Sequence, residues 1–124
     1  MYSHMMVGSN DIQKSKQFYD ATFKAIGGRE GIQDEKGRLM YLHNGGAFLV
    51  TKPIDGEAAT AGNGCTVGFA MTPEQADAWH KAGTENGGTA IEDRPGERPG
   101  SGMYLAYLRD PDGNKLCALH RIQQ

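Results

Sequence analysis

The sequence has little with which to cross-link, anchor or coat itself. Its two cysteines, Cys65 and Cys117, stand far apart and without metal-type spacing. That excludes a disulfide framework and fits a reduced, cytoplasmic protein. No apolar run approaches the ~20 residues of a membrane-spanning helix. The first eight residues, Met1 to Gly8, lack a charged segment followed by a long apolar one, so no secretory signal is expected. Neither sign of charge dominates: 13 Lys and Arg are interspersed with 15 Asp and Glu. No basic stripe is left to track nucleic acid. Glycine, by contrast, is plentiful at 18 residues and falls between periodic apolar segments, which implies many tight turns rather than disorder. A chain of 124 residues makes one domain, or two small modules sharing a core. At that length roughly two thirds of the unfolded surface can be buried.

Taken in order, Tyr2 to Gly8 reads as a strand, with His4 and Met6 on one side and Met5 and Val7 on the other. Asn10 or Asp11 is positioned to cap a helix over Asp11 to Ile26. Its buried face is Ile12, Ser15, Tyr19, Thr22 or Phe23, and Ile26. Gly27-Gly28 ends that helix. Arg29 to Gln33 is a weak edge strand and Asp34 to Gly37 a turn. Arg38 to His43 and Ala47 to Thr51 form a hairpin around Asn44-Gly45-Gly46. Residues 53–63 are small, polar and Pro/Gly-containing, and read as a linker. Cys65 to Met71 is then a strand. Thr72-Pro73-Glu74-Gln75 starts a helix, with Thr at the cap, Pro in the first turn and Gln at the third position. Ala76, Trp79, His80 and Gly83 share one face of it, and Gly87-Gly88 ends it. Thr89 to Glu92 is a short strand, and Arg94 to Gly102 reads as a mobile loop. Two strand-like runs, Tyr104 to Arg109 and Lys115 to Leu119, flank Asp110-Pro111-Asp112-Gly113, a turn with Pro to preset φ and Gly to take a positive one.

The two halves follow one pattern. His4 and Thr66 begin corresponding strands, and paired glycines end corresponding helices. The chain therefore reads as a βαβββ unit written twice, about 60 residues per copy. The fold class is α+β, with modules at about 1–52 and 64–121 and helices on the outer face of mixed, curved sheets.

The Asp-Pro-Asp-Gly-Asn turn after an aromatic strand, and the first-helix run Asn10-Asp11-Ile12-Gln13-Lys14-Ser15-Lys16-Gln17-Phe18-Tyr19, resemble motifs of the vicinal oxygen chelate superfamily. That superfamily includes glyoxalase I, bleomycin-resistance proteins, fosfomycin-resistance enzymes and extradiol dioxygenases. The resemblance covers essentially the whole chain. It implies a glyoxalase-like fold, a homodimer, and a small-molecule site in the cleft between paired modules. It also implies a metal site built from the first and last strands of the modules. His4 matches the first of those positions. Thr66 stands where the second histidine is usual, Phe48 or Leu49 at the third position, and Cys117 where metal-dependent members carry Glu.

Only His4 and Cys117 are metal donors in that set, so no cofactor is expected. The cleft residues implied are His4, Thr66, Tyr107, Arg109 and Cys117, with Arg94 and Arg98 on a candidate lid over an anion. Of Tyr41, Tyr104 and Tyr107, one or two are expected to line a pocket. The leading reading is a metal-free small-molecule-binding protein of the bleomycin-resistance kind. The alternative is a metal-dependent lyase, epimerase or dioxygenase acting on a small oxygenated metabolite.

Overall fold

The computed structural model describes residues 1–122. The N-terminal half runs β1 (Met5–Gly8), α1 (Ile12–Ala25), β2 (Ile32–Gln33), β3 (Leu39–His43) and β4 (Gly46–Thr51). The C-terminal half runs β5 (Val67–Ala70), α2 (Pro73–Glu85), β6 (Thr89–Ala90), β7 (Gly96–Arg98), β8 (Met103–Arg109) and β9 (Lys115–Arg121). The first sheet has the order β1-β4-β3-β2. The second has the order β5-β9-β8-β6, with β7 also paired to β8. In each half the first strand lies parallel to the last, β1 on β4 and β5 on β9, and every other pairing is antiparallel. This is the doubled α+β arrangement that the sequence pattern predicts.

The helix starts are where the side-chain chemistry puts them. The Asp11 carboxylate accepts from the backbone N–H groups of Gln13 and Lys14, at 3.1 and 3.2 Å. Thr72 and Gln75 form a reciprocal box in which each side chain accepts the other's backbone N–H. Asn44 and Gly45 both take positive φ, 48° and 81°, which matches the twist of the β3–β4 hairpin.

The core joins both halves. Phe18, Tyr19, Phe23, Leu39, Tyr41, Phe48 and Val50 meet Met71, Ala76, Trp79, Leu108, Leu116 and Ala118. The helices cross at Gly83, where any added Cβ would lie 2.4 Å from Leu108 and 3.2 Å from Phe18. Both helices lie on one side of the sheets, so each sheet has an uncovered face on the other.

A buried polar joint holds the halves together. The β8–β9 turn reaches across to the start of α1. Asp110, 3% exposed, accepts from the Tyr19 hydroxyl at 2.5 Å, the Asn114 side chain at 2.8 Å, and the backbone N–H groups of Asp112 and Asn114. Asn114 donates onward to the Gly8 carbonyl, and Asp112 accepts from Asn10 N–H and the Ser15 hydroxyl. Burial pushes the Asp110 carboxyl above its ordinary range, against the pull of its four donors. Burial, then the neighbouring Asp110, raises Tyr19 well above the usual tyrosine value.

One segment departs from expectation. Residues Arg94 to Gly102 are not a loose loop, because β7 forms within them and pairs with β8. Gly100 and Gly102 take φ of +74° and +69°, which turns the chain back on itself. Arg98 donates to the carbonyls of Asp93, Arg94 and Gly96 and so fastens the turn from inside.

Two stability predictions follow from this joint. Gly113 has φ +91°, so Gly113→Val should cost about 1–3 kcal/mol. An unchanged urea midpoint would refute the strain. An unfolded tyrosine ionises near pH ~10, whereas Tyr19 in the fold holds its proton to higher pH. The stabilisation from Tyr19 is therefore complete below pH ~10 and falls as pH rises, on the order of 1.4 kcal/mol per pH unit. Denaturant titrations of the wild type and Tyr19→Phe across that range should diverge, with the variant showing the shallower loss.

Candidate functional site

Strand alternation and cross-strand register decide which side chains share a face. Leu108 packs against α2 at Gly83, so Tyr107 and Arg109 point to the opposite, uncovered face. Register then adds their neighbours: Tyr107 lies across from Cys117, Arg109 from Lys115, and Gly68 from Cys117. Three of the expected cleft residues, Tyr107, Arg109 and Cys117, are thus brought onto one surface. Thr66 is exposed, two residues before Gly68 at the entrance to β5.

The environment of Cys117 is specific. The residue is 5% exposed although it faces away from the helices. The thiol donates to the Ala118 carbonyl at 3.5 Å. Burial raises it above its ordinary value, while the neighbouring Tyr107 hydroxyl pulls the other way. Burial, then the nearby Cys117, raises the Tyr107 phenol. The Lys115 ammonium lies 5.0 Å from the centre of the Tyr107 ring and pairs with the Glu92 carboxylate. Glu92 holds φ +57°, a conformation a non-glycine residue adopts only under constraint. Sequence reasoning missed Lys115 and Glu92. The signal for Lys115 was its place two residues before Cys117, on the same face. Nothing local marks Glu92, whose role depends on an unusual backbone angle.

Arg109 and Arg98 are both engaged with backbone. The Arg109 guanidinium donates to the Gly113 carbonyl at 2.7 Å, which places it at the rim. Arg98, expected on a lid, spends its donors on three carbonyls of its own turn. Arg94 is exposed.

His4 lies elsewhere. It precedes β1 in the first sheet, its Nδ1 is 2.7 Å from the Ser3 hydroxyl, and it lines a cavity of about 280 Å³ at the seam between β1 and β5. Tyr41 also lines that cavity, with its hydroxyl committed to Asp20 at 2.7 Å. Tyr104 packs against the core and donates to Asp77. His80 is half-buried, and burial lowers its imidazole.

The uncovered face of the first sheet is apolar. Register sets Met6, Leu49, Met40 and Ile32 in one row across all four strands. Leu42 and Ile32 remain 60% and 59% exposed, and Met6 42%. Met5 is 39% exposed and edges the seam cavity.

The donor set does not fit a catalytic divalent metal. Phe48 and Leu49 carry no donor and Thr66 offers a neutral hydroxyl, which leaves only His4 and Cys117 as side chains that bind such a metal well. Among the described residues no three His, Cys, Asp or Glu side chains converge.

A doubled βαβββ fold with open sheet faces, pinned by an Asp-Pro-Asp-Gly turn, defines a class of small-molecule-binding proteins and metalloenzymes. The chain belongs to the Glyoxalase/Bleomycin resistance protein/Dioxygenase superfamily, whose model matches residues 2–118. A glyoxalase/bleomycin resistance protein from Albidiferax ferrireducens is similar at 54% identity and TM-score 0.91, over 98% of both chains. A glyoxalase/bleomycin resistance protein/dioxygenase family enzyme from Burkholderia phytofirmans shares the fold at 19% identity and TM-score 0.73, over 96% of this chain and 97% of that one. So does a mutant of the fosfomycin resistance protein FosX from Listeria monocytogenes, complexed with Mn(II) and 1S,2S-dihydroxypropylphosphonic acid. Its identity is 17% and its TM-score 0.72, over 100% of this chain and 90% of that one. No curated protein matches the sequence. No helix among the described residues is long and apolar enough to cross a membrane.

The contrast between the two cysteines is directly measurable. Cys65 is exposed and Cys117 buried with a raised thiol. A disulfide-exchange reagent at neutral pH should label one thiol quickly and the second only on unfolding. Two fast thiols in the native wild type, or one in native Cys65→Ser, would contradict the buried assignment of Cys117.

Proposed function

We propose that this protein is a metal-free small-molecule-binding protein of the bleomycin-resistance kind, acting as a cytoplasmic homodimer. Each chain supplies two modules, about 1–52 and 64–121, joined by residues 53–63. The first sheet of one copy faces the second sheet of the other, and the ligand lies between. Tyr107, Cys117, Thr66 and Arg109 line one wall, and His4 edges the other. The observation that carries this reading is the apolar row Met6–Leu49–Met40–Ile32, left uncovered on a molecule whose other sheet also has an open face. Exposed contiguous apolar surface of this kind marks an interface. A two-fold axis gives two equivalent sites.

The Tyr107 ring with Lys115 above it suits a small, flat ligand with a polar edge, which a ring can stack upon and an ammonium can bond. The competing reading is a metal-dependent lyase, epimerase or dioxygenase. It is favoured by the fold shared with the Mn(II) complex of FosX and opposed by the side chains at the four ligand positions.

Light scattering at micromolar concentration should give twice the 13.4 kDa chain mass, and Leu42→Asp with Ile32→Asp should reduce it to one. A monomeric wild type would remove the paired-sheet site. Metal analysis of freshly purified protein should find substoichiometric metal. One tightly held equivalent per chain, lost in His4→Ala, would establish the metal-dependent reading instead.

A further inference from the structure

We infer that the seam between β1 and β5 is a second, separate binding site, which takes a small aromatic molecule of phenol or indole class. The two halves meet through α1 and α2, the edge strands β1 and β5, unpaired with each other, leave a seam between the sheets, and each half has a hairpin turn at one end of that seam. In the C-terminal half the turn is five residues, 110–114, between β8 and β9. It fills its end with Asp110, Asp112 and Asn114, all bonded into β1 and α1. Ala59 of the linker closes over the same end, bonded in both directions to the Asn10 side chain. In the N-terminal half the corresponding turn is two residues, Asn44 and Gly45, between β3 and β4. It is too short to reach across, and the other end of the seam stays hollow. The cavity of about 280 Å³ lies there, with Asn44 of that turn and Gly46 of β4 on its wall.

The wall chemistry selects the occupant. Phe23, Tyr41, Phe48 and Phe69 bound the cavity. Phe23 stacks on Tyr41 at 4.8 Å and meets Phe69 edge-on at 5.7 Å, and Phe48 meets Phe69 edge-on at 5.4 Å. Such walls offer both faces and edges to an inserted ring. An apolar cavity of about 150 Å³ holds benzene, so this one has space for one fused or substituted ring. His4 and His43 line the same cavity, and the His43 ring stands edge-on to Phe23 at 6.0 Å. Their imidazoles can bond a hydroxyl or ring N–H of the ligand. Tyr107, Arg109 and Cys117 do not line this cavity, which meets the paired-sheet site only at its border, through His4 and Gly68.

The test is titration of the whole protein with indole and with 2-naphthol, read by calorimetry and by amide-shift mapping. One probe molecule per chain is expected, with shifts confined to residues around Phe23, His43 and Phe69. Val67→Phe, which adds a ring to the wall, should weaken binding at least about tenfold, and His43→Ala by a smaller factor. His43→Ala keeps the proposal testable if Val67→Phe fails to fold. Three results would overturn it. One is absence of binding at millimolar probe. Another is shifts centred on Tyr107 and Cys117. The third is a nuclear Overhauser contact in the free protein that places the Tyr2 ring, or a side chain of a second copy, inside the cavity.

Discussion

The carboxylate of Asp110 is the constraint on which the rest of the molecule depends. It is buried where charge is costly, and four donors from both halves of the chain offset that cost. The Tyr19 hydroxyl links it to α1, and Asn114 links it to the end of β1. These bonds tie the two halves at one end, and the shared core joins them elsewhere. Both helices lie on one side, and both sheets leave a face open on the other. The hairpin turn is therefore a structural joint, and the chemistry of the molecule lies away from it.

From that geometry follow two surfaces with different characters. The uncovered face of the second sheet carries a buried thiol beneath a phenol and an ammonium. That of the first is a row of Met, Leu and Ile. Cys117 stands at the position where the family resemblance places a carboxylate ligand in metal-dependent members. With Thr66 and Phe48 or Leu49 at the other positions, Cys117 and His4 are left as two donors, too few for a firmly held divalent cation. This is the physical reason for preferring binding over Lewis-acid catalysis.

Much of the fold was legible because its signals are local. Asp11 and Thr72 cap their helices through their own side chains, Asn44-Gly45 dictates its turn, and Pro111 and Gly113 shape theirs. The family resemblance implies Tyr107, Arg109 and Cys117 on one side, and the cross-strand register puts their side chains on one face of the second sheet. What was not legible depends on distances in space. His4 and Cys117 sit on different sheets, and no strand pattern says how two sheets meet. The strand within Arg94–Gly102 was hidden because its pairing depends on Arg98 satisfying three carbonyls, which composition does not reveal. The seam cavity was likewise invisible in any single motif. It comes from the difference in length between two turns that the repeat puts in equivalent places.

The most direct test of this account is a double-mutant cycle between Tyr19→Phe and Asp110→Asn, followed by urea unfolding. If the bond between them joins the halves, the two losses will not add. Their coupling should be on the order of 1–3 kcal/mol, as for a buried hydrogen bond to a charged group. Additive losses, with coupling near zero, would show that the halves are held together by the apolar core alone.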